Sequence, residues 1–204
     1  MAGIDPARVR ANLERVREQI GDAVEICAAI KYVAVEDLPA LAEAGIGLVG
    51  ENRAQELVAK QEEHGPLFEW DFIGALQSRK VKDVAPRVRL IHTVASESAL
   101  KRLADHPAKE VLIEVNVAAE EGKVGIAPHE LGDFIARSPV PVTGLMTMPP
   151  FTENPEDSRP HFARLAELAA EHGLARLSMG TSQDYGVAVA EGATIIRLGS
   201  VLYD

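Results

Sequence analysis

The chain carries a single cysteine, Cys27, among 204 residues, which excludes an internal disulfide framework and fits a reducing compartment. Positive charge is also scarce: 21 Lys and Arg stand against 31 Asp and Glu, a net charge of −10. A nucleic-acid partner is excluded on that ground, because no basic footprint exists to neutralise a phosphate backbone. The densest basic stretch, QSRKVKD at 77–83, reads as solvated helix surface. No apolar run approaches a membrane span, and the N-terminal MAGIDPARVR has no signal-peptide core; a cytoplasmic protein away from any membrane is expected. The 6 histidines are scattered without metal-ligand spacing, so no metal site is expected. What remains is ordinary for a soluble globular chain, at 47% hydrophobic and 25% charged. The length supports one sizeable core and one domain over residues 1–204.

Punctuation and periodicity organise that domain. Asp5 can cap a first helix, Pro6 suits its first position, and Gly21 follows its end; Val9, Leu13, Val16 and Ile20 share one face. Eight short apolar runs follow, at 25–33, 47–52, 69–76, 90–96, 110–118, 141–149, 175–182 and 194–203. Each is rich in Val, Ile and Leu and continuous more than alternating, as strands covered on both faces are. Helix-compatible segments separate them, the clearest at 155–173, with Phe162, Leu165, Ala166 and Ala169 on one face. Eight strand–helix units in so short a chain predict an α/β fold, a (β/α)8 TIM barrel. The competing open doubly wound sheet lacks support for a dinucleotide site, since no Gly-x-Gly-x-x-Gly turn follows the first strand.

In such a barrel the site lies at the C-terminal strand ends. Read in order, those ends offer Lys31, then Glu51 and Asn52, then Gln77 and Ser78, and finally SMGTSQD and RLGS. The last two supply Thr181, Ser182, Gly199 and Ser200 where barrels of this kind hold phosphate: small residues let an anion approach backbone N–H groups, and hydroxyls add donors. Lys31 is either a surface amine reaching solvent or a reactive amine; facing a phosphate site, it could condense with an aldehyde, and pyridoxal 5′-phosphate (PLP) carries both groups. Cys27 reads as a small buried hydrophobe and His92 as a core or rim residue.

The stretches GENRAQE (50–56), DFIGALQSRK (71–80), GLMTMPP (144–150) and the segment from Leu177 to Asp204 resemble the pyridoxal phosphate homeostasis protein family, the YggS/PROSC type. That family is similar to the barrel domain of alanine racemase, a fold-type III PLP-binding barrel, without a second β-rich domain. The resemblance implies that Lys31 holds PLP as a Schiff base and that Asn52 lies beside the cofactor ring. It further implies that Ser182, Gly199 and Ser200 hold the phosphate and that Arg197 faces the pyridine nitrogen. No catalytic residue is implied. Ala75 and Arg79 depart from the family's histidine and asparagine, Thr181 from a common methionine, and the chain stops at Asp204 where a glycine is usual.

Arg197 bears on chemistry. A guanidinium stays protonated, donates to a ring nitrogen and disfavours its protonation, which makes the ring a poor electron sink. The expected function is thus a PLP-binding protein of intracellular vitamin B6 homeostasis without turnover, exchanging PLP with PLP-dependent apoenzymes and existing as a monomer. The alternatives are a PLP-dependent amino-acid racemase of the same fold and a cofactor-free Schiff-base aldolase.

Overall fold

The computed structural model describes residues 3–204. Eight parallel strands close into a barrel in chain order: β1 (Glu25–Ala29), β2 (Leu48–Glu51), β3 (Glu69–Phe72), β4 (Leu90–Val94), β5 (Val111–Glu114), β6 (Val142–Met146), β7 (Arg176–Ser178) and β8 (Ile195–Leu198). Closure comes from β1 pairing with β8, with Cys27 opposite Arg197 and Ala28 opposite Leu198. The expected barrel is the observed one. Each strand is shorter than its apolar run, because the run's last residues leave the ladder to form the loops of the C-terminal mouth.

Helices α1 (Pro6–Ile20), α2 (Leu38–Glu43), α3 (Ala54–His64), α4 (Val81–Val84), α5 (Glu97–Asp105), α6 (Leu131–Ala136), α7 (Arg159–Glu171), α8 (Tyr185–Ala190) and α9 (Ser200–Tyr203) complete the fold. Asp5 caps α1 as its residue type dictates, its carboxylate accepting from Ala7 N at 3.0 Å. The expected helix at 155–173 starts as a 3₁₀ turn, Pro155–Ser158, and becomes α-helical only at Arg159. Leu168 joins Phe162, Leu165 and Ala169 on its buried face. Each such leucine contributes about 1.5–3 kcal/mol by leaving water. The run 194–203 divides into β8 and α9, and buried Asn12 of α1 donates to Leu202 O at 3.1 Å, tying the two ends of the chain together.

Strand alternation separates two cores. Cys27, Leu48, Leu90, Leu112, Met146 and Ile195 fill the barrel interior, while Ile26, Ala28, Val49, Ile91, Ile113 and Leu145 pack outward against the helices. Charged residues at the strand starts close the N-terminal end: Arg89 donates to both carboxylate oxygens of Asp71, at 3.0 and 2.8 Å, and also pairs with Glu25.

Candidate ligand-binding site

Strand order places the sequence-predicted residues on one arc of the C-terminal mouth. Ser182 follows β7; Arg197 lies on β8, with Gly199 and Ser200 just beyond it; Lys31 follows β1; Asn52 follows β2. These four strands are consecutive around the closed barrel, so residues up to 169 positions apart share one rim.

Lys31 continues the inward phase of Cys27 and Ala29 beyond the end of β1. Its side chain is exposed, and its ammonium lies 4.9 Å from the ring centroid of Tyr32. The backbone beneath it is fixed from below. Ile30 N donates to Gly50 O at 3.0 Å, and Ile30 O accepts from the buried ammonium of Lys60 at 2.7 Å. Lys60 also pairs with Glu51 at 2.7 Å, and the other Glu51 oxygen accepts from Asn52 N at 2.6 Å and Arg53 N at 3.2 Å. One buried ion pair thus ties down the residues that carry both Lys31 and Asn52. The Asn52 side-chain oxygen Oδ1 is buried and has no hydrogen-bond partner among the described residues. Gly74, after β3, makes room for this corner: a Cβ there would stand 2.0 Å from Asn52 O.

On the other side, Gly180 turns the chain out of β7 with φ +93°, and a Cβ would meet Ala188 at 2.6 Å. Asp184 Oδ1 then accepts from Thr181 N at 2.7 Å and Thr181 Oγ1 at 3.1 Å, fixing the loop that carries Ser182. The Ser182 hydroxyl accepts from Gly199 N at 3.1 Å and Val201 N at 3.4 Å. The segment after β8 therefore aims two backbone donors at one hydroxyl oxygen of the loop after β7. Ser200 is exposed beside them.

Arg197 is buried and lines a cavity with Thr147, Met148, Phe151, Gly180 and Thr181. It donates to Ser178 Oγ and, at 3.1 Å, to Thr147 O. Among the described residues no carboxylate lies in ion-pair range of it. Burial pushes the guanidinium below its ordinary range, with Cys27, Glu114 and Asp184 pulling the other way. A guanidinium has five N–H donors, so these two contacts leave donors to offer the cavity.

Sequence reasoning missed several residues here. Lys60 sits on α3 and looks in sequence like any surface lysine; a single charge spaced among Leu57 and other apolar helix positions was the available signal. Asp71, which appeared only inside the family stretch, and Ser178 are both fully buried. His92, expected in the core or rim, is core, and bonds to both of them. Glu114, the last residue of β5, has its carboxyl pushed up by burial, with Arg197 and Lys123 opposing. Of the family departures, Ala75 and Arg79 are exposed, and Arg79 donates to Gln77 at 3.2 Å. Cys27 is buried and free, as expected. No group of three or more metal-ligating side chains occurs among the described residues.

Comparison with known proteins places the chain in a family. The family model described as alanine racemase, N-terminal domain, matches residues 4–204. A pyridoxal phosphate homeostasis protein of Aquifex aeolicus is 40% identical over 97% of this chain and 95% of its own length. One from Deinococcus radiodurans is 33% identical, covering 96% and 99%. The solved structure of PipY from Synechococcus elongatus with PLP bound superposes with a TM-score of 0.84 at 30% identity, covering 96% of this chain and all of that one. A lysine/ornithine decarboxylase of Vibrio vulnificus, 14% identical with a TM-score of 0.73, shares the barrel alone. With the fold, the order of the motifs and near-complete mutual coverage in agreement, the chain belongs to the pyridoxal phosphate homeostasis protein family, within the wider family of alanine racemase N-terminal domains.

Proposed function

We propose that this chain binds PLP at its C-terminal mouth and serves intracellular PLP homeostasis as a holder of the cofactor, without turnover. The observation that carries the reading is Arg197: a buried guanidinium at a cavity wall, bonded among the described residues to one hydroxyl and one carbonyl, calls for an acceptor from a ligand. The residues present fit PLP. Buried, unpartnered Asn52 Oδ1 and the donors converging on Ser182 Oγ add a polar frame of the right character at either side.

Bound PLP would supply an aldehyde that condenses with amines and a pyridine ring that can take up electron density. Lys31 would provide the amine that holds the aldehyde covalently. Ser182 and Ser200 would offer their hydroxyl hydrogens to the phosphate beside Gly199, and Asn52 would sit against the ring. Arg197 would donate to the ring nitrogen and keep it unprotonated, so the ring stays a weak sink for a substrate carbanion. Holding and exchange need only amine and aldehyde chemistry; turnover needs the sink. Amino-acid racemisation is not favoured, since relatives along the whole chain carry the homeostasis name and a carboxylate partner for the ring is lacking among the described residues.

PLP-dependent apoenzymes are the proposed acceptors. A monomer is the proposed state, in keeping with large exposed apolar side chains, Tyr32, Leu67, Val124, Met148 and Phe151 among the described residues, that come from four separate segments of the chain. No described helix is long and apolar enough to cross a membrane.

The deciding measurement is the absorbance of the purified protein, followed by racemisation assays on several amino acids. A PLP band with no racemisation above background supports the reading. A colourless protein that cannot be loaded, or stereospecific turnover on the order of 1 per second, overturns it.

A further inference from the structure

Four buried side chains form a continuous hydrogen-bonded chain across the barrel interior, from β3 through β4 and β7 to β8. Asp71 Oδ2 lies 3.0 Å from His92 Nε2; His92 Nδ1 lies 2.8 Å from Ser178 Oγ; Arg197 Nη1 donates to that same oxygen. Asp71, His92 and Ser178 are each 0% exposed. Packing alone would favour apolar side chains here, as at Leu90 and Leu112 beside them.

The proton positions follow from the partners. Asp71 already accepts at both oxygens from Arg89, and the hydrogen bonds from His92 and Arg89 outweigh burial and hold its carboxyl below the ordinary range. A carboxylate only accepts, so His92 Nε2 carries the hydrogen. Burial holds the imidazole below its ordinary range, despite the pull of Asp71, so the ring is neutral and Nδ1 is a lone pair. Ser178 must then donate its hydroxyl hydrogen to Nδ1 and keep its lone pairs for Arg197. A protonated imidazole would instead aim a second N–H at an oxygen that already accepts from Arg197, and set two cations side by side. The remaining charged and titratable groups acting on this line are Cys27 from β1, Arg89 from the start of β4, Glu114 from β5 and Asp184 from the loop after β7.

We infer that Asp71, His92 and Ser178 are positioning residues that orient Arg197 and set the donor it presents to the ring nitrogen of bound PLP. The inference rests on the proposed function and deepens it. A carboxylate in direct contact with Arg197 would orient it equally well but would neutralise it and occupy its donors. Three hydrogen bonds of separation fix the guanidinium plane and leave its charge for the ligand. The hydroxyl is also a better acceptor for donating to His92, since linked hydrogen bonds polarise one another. Asp71 is compensated at its far side by Arg89, so the chain adds no unpaired negative charge to the interior.

The test uses the full-length protein loaded with PLP, comparing wild type with Ser178→Ala, His92→Leu and His92→Gln. Glutamine can donate towards Asp71 and accept from Ser178, so His92→Gln keeps the chain while leucine breaks it. The readouts are the Kd for PLP and the pH dependence of the absorbance of the bound cofactor. Ser178→Ala and His92→Leu are expected to bind PLP about tenfold more weakly, as loss of a bond supporting a charged group implies. Their bound cofactor should show a pH-dependent spectral change that wild type and His92→Gln lack. Should Ser178→Ala fail to fold, Ser178→Cys is read in its place, its thiol being a poor acceptor. Folded chain-breaking variants with wild-type Kd and wild-type spectra overturn the positioning role and leave PLP binding standing. A wild type with no PLP band overturns the proposed function itself, and the positioning role with it.

Discussion

Lys60 and Glu51 face each other at 2.7 Å with exposures of 1% and 0%, and each gives its remaining hydrogen bonds to the backbone of the site, at Ile30 on one side and at Asn52 and Arg53 on the other. The knot lies directly below Lys31. An ion pair so placed is expensive to break from one side, because the surviving charge is left buried and alone.

Lys60→Met should therefore lower stability by about 3–5 kcal/mol, read from urea denaturation. Adding Glu51→Leu removes the orphaned carboxylate and should recover much of that loss. PLP affinity should stay impaired in the double variant, because the bonds to Ile30 O, Asn52 N and Arg53 N are gone. Recovery of affinity together with stability would show that the pair only packs.

Lys31→Ala should abolish both the violet-region absorbance band and the borohydride-reducible adduct after incubation with PLP. Stability should change little, since the side chain is exposed and lies against Tyr32. Peptide mapping that places an adduct on Lys80 or Lys123 in this variant would reassign the amine.

Ser182→Ala removes the oxygen on which Gly199 N and Val201 N converge. PLP affinity should fall by about 1.5–3 kcal/mol, the scale of a hydrogen bond to a charged group. Without PLP the loss of stability should be under about 1 kcal/mol, because water can reach this half-buried hydroxyl's partners. A wild-type dissociation constant would make Ser182 a turn residue.

The buried imidazole predicts an acid-sensitive fold. His92 is held below its ordinary 6.5, so the unfolded chain takes up a proton that the folded chain refuses. Stability linked to this group is complete above pH 6.5 and declines as pH falls below it. His92→Gln should flatten that part of the stability profile in chemical denaturation scans. Asp71, with its carboxyl below the ordinary 3.8, adds a second decline only as pH falls through and below that value.

Gly74→Ala should disturb Asn52 directly, since the added carbon would lie 2.0 Å from its carbonyl oxygen. Overpacking of this kind costs about 1–3 kcal/mol. PLP affinity should drop as well, and unchanged stability and affinity would mean that the loop after β3 shifts freely.

The barrel was legible before any coordinate because its signal is local. Eight apolar runs with helical spacers give strand and helix, and the rule that function sits at the C-terminal strand ends points to Lys31 and to the loops of Ser182, Gly199 and Ser200, while the roles expected of Asn52 and Arg197 came from the family resemblance. Gly21 was readable for the same reason: its place just past the first helix needs only its own backbone freedom, and its φ is +73°.

What lines the interior was not legible. Asp71, His92, Ser178 and Arg197 are separated by 21, 86 and 19 residues, and nothing in a linear pattern says that their inward phases meet. Lys60 was equally hidden, because a lysine becomes a buried structural group only when the fold delivers a carboxylate and a carbonyl to its ammonium. By itself the sequence determined the barrel, its polar mouth and the family. Barrel closure decided which charges were buried, which partners compensated them and which donors were left to face a ligand, because the cost of burying a charge is settled by neighbours that the chain reaches only once it is folded.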